Sequence, residues 1–143
     1  MATANAAAEA LFALNASAAF NRWAGFELGA VDPGLVELRL RWREELGQYA
    51  GFLHAAMIGA MIDTACGFAA YTKVGKVLAS HFSVNCLAPA TGDAFIARAR
   101  IVRAGRKQVF TAAELFASQG GVERLVATGE AILVPIGDAP VGR

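Results

Sequence analysis

The chain has 143 residues, and its 13 basic and 12 acidic side chains leave a formal net charge of +1. This balance excludes the strongly positive surface that attracts nucleic acid, and no long run of like charges indicates a disordered tail. Its 56% apolar content is high for a soluble protein, and an apolar interface between subunits is the expected outlet for the excess. The length predicts one domain with a core of its own.

The first forty residues predict a helix followed by a β-hairpin. Residues from about Ala4 to Arg22 are rich in alanine and carry no basic n-region, so they favour a helix over a signal peptide. In the segment that follows, Asp32-Pro33-Gly34 is typical of a turn. From Val36 to Trp42 apolar residues alternate with charged ones, which predicts a half-buried strand.

A very apolar segment, GFLHAAMIGAMIDTACGFAA at residues 51–70, predicts a buried helix. We expect it to end near Lys73, with Gly75 as its C-cap. It does not predict a membrane span, because the longest uncharged run, Leu46–Ile62, stops at Asp63 and is shorter than the ~20 apolar residues that a span needs.

The rest of the chain has the period-two pattern of four long strands, at residues 76–89, 92–105, 106–118 and 121–135, which we expect to form a meander. The order of elements predicts an α+β fold in which one long antiparallel sheet wraps around one buried helix. Cys66 and Cys86 lack Cys-x-x-Cys spacing, so we interpret them as reduced thiols of a cytoplasmic protein, with no metal site and no disulfide.

Asp63 is the one residue of the apolar helix that is ionised without question at neutral pH, and a lone buried charge is costly unless it is paired or used. Its own face of the helix carries small residues, which leave room for a ligand or a second backbone. We favour a functional role, with a structural bond to a neighbouring chain as the alternative. At 100° per residue the bulky side chains lie opposite: Met57, Ile58, Met61 and Phe68.

The start of this helix offers hydrogen-bond donors to a carbonyl group. The N–H groups of Ala55 and Ala56 have no intrahelical partner and lie at the positive end of the helix dipole, so they can form an oxyanion hole. Gln48 could add an amide contact. His54 points away from Asp63, about two and a half turns distant, so ordering the loop is its expected role and acid–base catalysis the alternative. An acyl carbonyl bound there and attacked by Asp63, or by a water that Asp63 activates, would undergo acyl transfer.

The spacing of these groups sets a condition on the site. Ala55 and Asp63 are separated by about 12 Å of helix. One carbonyl group needs its polarising donor and its attacker within ~3 Å each, so one chain cannot supply both. Two antiparallel copies of the helix, packed through their small faces, can supply them, which predicts a homo-oligomer.

With this order of elements the sequence resembles the hotdog-fold acyl-CoA thioesterases, particularly the PaaI-like group of the phenylacetate pathway. That family has a loop Asn or Gln before a His-Gly-Gly helix opening, and an acid nine residues after the His; here Gln48, HAA at 54–56 and Asp63 have these spacings. SHFSVNCLAPA resembles the family's third strand, and VRAGRK its turn between strands four and five. The resemblance implies a hotdog core over 23–135, after an N-terminal helix over 1–22 and before a tail over 136–143.

The resemblance also implies a function: hydrolysis of an acyl-CoA thioester to free acid and CoA by a homodimer or a dimer of dimers, with no metal or other cofactor and no membrane partner. The Ala55 N–H would polarise the thioester carbonyl, with His54 and Ala56 beside it. Gln48 would help to position substrate or water, and Asp63 would be nucleophile or general base. A basic turn would lie near the CoA phosphates, although an ordinary solvated turn is an equally good interpretation of its residues: Arg103, Gly105, Arg106 and Lys107.

Two departures from the family's pattern leave other functions open. Ala55 and Ala56 replace the usual glycines, and Ala79 stands where several relatives have a Ser or Thr that orients water. Ser80 is expected on the opposite face of a regular strand, so His81 or Ser83 would hold the water instead. The alternatives are a hotdog dehydratase or hydratase acting on acyl thioesters, which needs a His and an acid on one substrate, and a non-catalytic acyl-CoA-binding protein.

Overall fold

The computed structural model describes residues 2–137, so residues 138–143 of the predicted tail lie outside the described range. The predicted N-terminal helix is divided into α1 (Ala2–Ser17) and α2 (Ala19–Ala24). The hydroxyl of Ser17 donates to the Leu14 carbonyl at 2.7 Å, and this local bond competes with continuation of the helix. Ala18 is accordingly extended, with φ −83° and ψ 119°.

Strands β1 (Glu27–Asp32) and β2 (Leu35–Arg41) form the predicted hairpin. Asp32 pairs with Leu35 across the turn, where Gly34 has a φ of 75° that glycine adopts without strain. The predicted alternation along β2 is confirmed, because the apolar side chains at alternate positions are buried: Val36, Leu38 and Leu40.

The apolar segment forms helix α3 (Ala55–Val74), which ends before Gly75 as predicted. Gly75 has a φ of 76°, and its N–H donates to the Tyr71 carbonyl at 3.0 Å. By length and composition alone α3 could cross a membrane, but 56% of its most apolar window is buried inside the protein. We therefore describe α3 as the core helix of the fold.

Four strands follow α3: β3 (Val77–Cys86), β4 (Ala94–Ala104), β5 (Val109–Gln119) and β6 (Val122–Pro135). They complete a six-stranded antiparallel sheet in the order β1-β2-β4-β5-β6-β3. The prediction of a four-strand meander was wrong for β3, which pairs with β6 at an edge of the sheet and not with β4. A period-two pattern identifies a strand, but it does not identify the strand's partner.

The sheet wraps around α3, which contacts β2, β3, β4, β5 and β6. Most of the largest fully buried side chains come from α3 and from the sheet face turned towards it, among them Met61, Ile62, Phe95 and Leu115. This confirms the predicted α+β fold, in which a long antiparallel sheet surrounds one central helix and a helical segment precedes both.

Candidate active site

Asp63 lies on the part of α3 that the sheet leaves uncovered. The bulky residues opposite to it are buried, as predicted, whereas Asp63 itself is half-buried. Burial raises the pKa of the Asp63 carboxyl, and among the described residues neither a hydrogen bond nor a nearby charge offsets this effect. A carboxylate in this setting is a better proton acceptor than an exposed aspartate, which is a property of functional carboxylates.

An open groove of about 510 Å³ runs along α3 from the start of the helix to Asp63, and we call it the helix groove. Phe82 and Val84 of β3 form one of its sides. The other side consists of α3 residues, nearly all of them small: Ala55, Ala56, Gly59, Ala60 and Asp63. The small face of the helix is therefore accessible to a ligand or to a second chain.

His54 is the N-cap of α3. Its Nδ1 accepts a hydrogen bond from the Ala56 N–H at 2.9 Å, which places the proton of a neutral imidazole on Nε2. The expected loop-ordering role of His54 agrees with this contact. The Ala56 N–H is consequently used by the cap, and the donor that remains directed out of the helix start is the Ala55 N–H.

Gln48 closes a tight turn before the helix. Its Oε1 accepts from the Ala50 N–H, and its backbone carbonyl accepts from the Gly51 N–H at 3.1 Å. The Nε2 amide of Gln48 is therefore the group that can donate to a ligand. Gln48, His54 and Ala55 line a second cavity of about 490 Å³, which we call the helix-start cavity.

Cys86 also lines the helix-start cavity, a position that cannot be predicted from the sequence because it depends on where β3 ends against α3. Both cysteines are free thiols in the structure: Cys86 is exposed and Cys66 is buried. Burial raises the pKa of the Cys66 thiol to about 11. Within residues 2–137 there is no group of three His, Cys, Asp or Glu side chains that could hold a metal ion.

A β-bulge at Ser80 changes which residues of β3 face the helix. Ala79 pairs with Leu133 and His81 with the adjacent Ile132, so Ser80 is an extra residue, and its hydroxyl donates to the Ile132 carbonyl at 3.3 Å. After the bulge Phe82 and Val84 face the helix groove, which puts the alternate residues His81 and Ser83 on the opposite face of the sheet.

The prediction that His81 or Ser83 holds water at this site therefore does not fit the placement of either side chain. The reason is the bulge, which shifts the alternation of β3 by one residue. Ala79 does lie beside Asp63: both line a third cavity of about 420 Å³, which extends from Asp63 towards the end of α3 and which we call the distal cavity.

The predicted basic turn lies between β4 and β5. The Gly105 N–H donates to the Gln108 carbonyl at 2.8 Å, and the side chains of Arg103, Arg106 and Lys107 are exposed. Ala104, at the start of the turn, lies at the end of the sheet where β3 begins. Strand β3 itself begins directly after the last turn of α3. The helix start lies about 30 Å away along α3, so one chain does not bring this turn and Ala55 together.

Comparison with known proteins identifies the family. The model of the thioesterase superfamily matches residues 50–124, which include α3, β3 and β4. A solved structure of a thioesterase family protein from Silicibacter pomeroyi is 34% identical and superposes with a TM-score of 0.86, over 90% of this chain and 96% of that one.

Two further relatives agree with this assignment. A protein of Sulfurisphaera tokodaii, provisionally named an esterase, is 28% identical over 83% of this chain and 88% of its own length. The E. coli PaaI protein from the phenylacetic acid degradation operon is 19% identical, with a TM-score of 0.83 over 94% of this chain and 96% of that one, and thus shares the fold. The resemblance to hotdog thioesterases is confirmed: this chain belongs to the thioesterase superfamily.

Proposed function

We propose that this protein hydrolyses acyl-CoA thioesters, with each site built from two protomers. The observation that carries the proposal is the helix groove. It joins the Ala55 N–H, which has no hydrogen-bond partner within residues 2–137, to a half-buried Asp63 whose pKa is raised. The N–H at the positive end of α3 would stabilise the oxyanion of a tetrahedral intermediate. A carboxylate that is poorly solvated would attack the carbonyl or take a proton from water.

The two groups act on one substrate only if they come from different chains, because about 12 Å of helix separates them. Strand β3 supports such an assembly. It is a sheet edge of ten residues, with Leu78 and Phe82 about half exposed, and edges of this kind pair with another strand when they are not covered. Antiparallel pairing of two β3 strands would bring two α3 helices together in opposite directions, so that each Ala55 faces the partner's Asp63.

The reaction can take two routes. In one, the Asp63 carboxylate takes a proton from water, the resulting hydroxide adds to the carbonyl carbon, and the tetrahedral intermediate expels CoA as its thiolate. In the other, the carboxylate itself adds, CoA leaves, and water hydrolyses the mixed anhydride. A single turnover in H₂¹⁸O distinguishes them, because only the second route can leave the isotope in the Asp63 carboxyl group.

Dehydration or hydration of the acyl chain is the second candidate. That chemistry needs a histidine and an acid on one substrate; Nδ1 of His54 is occupied by the Ala56 N–H, and Nε2 is the ring nitrogen left to exchange a proton. Membership of the thioesterase superfamily favours thioester hydrolysis over this chemistry. The thioesterase route uses His54 only as the cap that orients the helix start.

The proposal is tested with purified protein and a panel of acyl-CoA esters, by following release of free thiol. We expect thiol release by the wild type, and a loss of at least ~100-fold in Asp63→Asn, the low end for a positioned acid–base group. Circular dichroism should show that the variant is folded. Loss of an enoyl chromophore without thiol would indicate a hydratase, binding with neither reaction would indicate a binding protein, and full turnover by folded Asp63→Asn would remove Asp63 from the mechanism.

A further inference from the structure

The distal cavity begins where the helix groove ends, and Asp63 lines both. On the far side of Asp63 the walls come from α1, α2, α3, β3 and β6, and most of the lining residues are apolar. Ala79 and Leu133, which pair across β3 and β6, form the wall next to the carboxylate. A substrate whose carbonyl carbon is held at Asp63 can therefore extend a chain into this space.

The length of the cavity follows from the helix that lines it. Asp63, Gly67 and Tyr71 are spaced by four residues, lie on one face of α3 and all line the cavity. Asp63 and Tyr71 are separated by about 12 Å along the helix axis. A fully extended chain advances about 3.3–3.6 Å for every three bonds, so this length accommodates roughly ten bonds.

The chemistry of the walls excludes the CoA end of the substrate from this cavity. Leu14 and Leu78 at its rim are 38% and 50% exposed, which is apolar surface that an apolar occupant would cover. Asn21 is already engaged, because its Nδ2 donates to Oδ1 of Asn15 at 3.0 Å. Lys76 at the exposed mouth is the one cation in the described lining, too few for the phosphates of CoA.

Gly67 is the position at which a substitution can test what occupies the cavity. It lies between Asp63 and Tyr71, it has no positive φ, and a Cβ built on it meets no atom within 4 Å. A side chain at this position would consequently project into open space, about 6 Å along the helix from Asp63.

We infer that the distal cavity binds the acyl group of a medium-chain thioester, about eight to ten carbons long. This inference rests on the proposed thioesterase function and specifies its substrate class. A phenylacetyl group is about five bonds long and ends near Gly67, so it leaves the Tyr71 half of the cavity empty.

The test compares the wild type with Gly67→Leu, Gly67→Ala and Cys86→Leu on straight-chain CoA esters from acetyl to palmitoyl, with phenylacetyl-CoA as the aromatic member. The wild type should have its highest kcat/KM with octanoyl- or decanoyl-CoA. Gly67→Leu should lower kcat/KM for decanoyl-CoA by at least ~10-fold, mainly through KM, and change that for butyryl-CoA by less than about twofold. Gly67→Ala is the matched control, because it makes the same improvement in helix propensity without filling the cavity, and it should keep the wild-type preference.

Three results would overturn the inference while leaving the thioesterase proposal intact. The first is an equal kcat/KM of the wild type for all chain lengths, and the second is an equal loss of kcat/KM for short and long chains in Gly67→Leu. The third is a change of chain-length preference in Cys86→Leu, in the helix-start cavity, and not in Gly67→Leu. Dissociation of the Gly67→Leu oligomer, measured by light scattering, would also overturn it, because Gly67 would then be a contact between chains. Absence of thiol release from every ester would instead refute the proposed function itself.

Discussion

Partial burial gives Asp63 a cost in stability and, in the proposed mechanism, its chemical use. The folded protein holds the carboxyl where water solvates it poorly, and no described cation or hydrogen-bond donor compensates. Small neighbours on α3 keep the carboxylate accessible from the helix groove. A residue selected for stability alone at this position would be neutral.

The cost of Asp63 predicts a pH-dependent gain in stability for Asp63→Asn. The pKa of the carboxyl is higher in the folded than in the unfolded state. Its contribution to the free energy of unfolding is therefore most favourable when the pH is below the unfolded-state pKa, and it is lost as the pH rises through the folded-state pKa. We expect the variant to have a higher Tm than the wild type at neutral pH and the same Tm near about pH 3. Thermal unfolding followed by circular dichroism measures this, with Glu9→Gln, an exposed carboxyl on α1, as the control for loss of one negative charge.

The two cysteines predict two very different thiol reactivities. Cys86 is exposed in the helix-start cavity, whereas Cys66 is buried and its pKa is raised to about 11 by that burial. An aromatic disulfide reagent should label one thiol rapidly in the native protein and both after unfolding. Labelling should inhibit thioester hydrolysis, and Cys86→Ser should remain active and resist inhibition. Rapid native labelling of Cys66 would contradict its burial.

At the scale of elements, the relation between α3 and β3 determines the shape of the site. The two elements are consecutive in the chain and enclose the helix groove between them. The bulge at Ser80 is the device that turns Phe82 and Val84 towards the helix, and it makes that side of the groove apolar. The polar groups available to the reaction are then few: the Ala55 N–H, the Gln48 amide and the Asp63 carboxylate.

The basic turn between β4 and β5 predicts a selective effect on the nucleotide part of the substrate. Replacing Arg103 and Arg106 with Ala should raise KM for CoA esters and leave kcat nearly unchanged, because the phosphates are remote from the reacting carbonyl. Esters of a short thiol without the nucleotide provide the comparison and should be affected much less. An equal rise of KM for both kinds of ester would show that the turn does not bind the phosphates.

At the scale of the whole molecule, the proposed reaction would require a second copy of the chain. The basic turn and Ala55 lie at opposite ends of α3, and Asp63 lies between them. In an antiparallel pair of protomers, the Ala55 of one would face the partner's Asp63, and the partner's basic turn would lie about 16 Å further along that helix. A complete site would therefore consist of a helix start from one chain and a carboxylate from its partner.

This arrangement predicts that two inactive variants complement each other. Gln48→Ala and Asp63→Asn should each be impaired alone, whereas in a mixed dimer one site has both residues intact and the other has both changed. With random pairing about half of the dimers are mixed, so co-expression should restore roughly a quarter of the wild-type activity. Separately prepared proteins, combined under conditions that prevent subunit exchange, are the control. If the chains exchange and no activity returns, the residues do not act across an interface.

Local sequence patterns determined most of the elements and the central group of the site. The alternation of buried and exposed side chains in β2, and the bulky and small faces of α3, follow from the periodicity of side chains along a strand or a helix. This periodicity can be recognised within a single segment of the sequence. Asp63 could be selected because it is a lone charge in an apolar helix, and Gln48 and His54 because of their spacing from it. The same spacing gave the 12 Å separation from Ala55, since the rise of a helix does not depend on its surroundings.

The tertiary structure alone decided the properties that depend on contacts distant in sequence. Pairing of β3 with β6, and the bulge that turns His81 and Ser83 away from the groove, arise from competition among strands with similar patterns. The use of the Ala56 N–H by His54 depends on the orientation of one imidazole. The distal cavity exists because α1, α2, α3, β3 and β6 meet around Gly67 without filling the space. No single segment of the sequence contains a volume that is left between five elements.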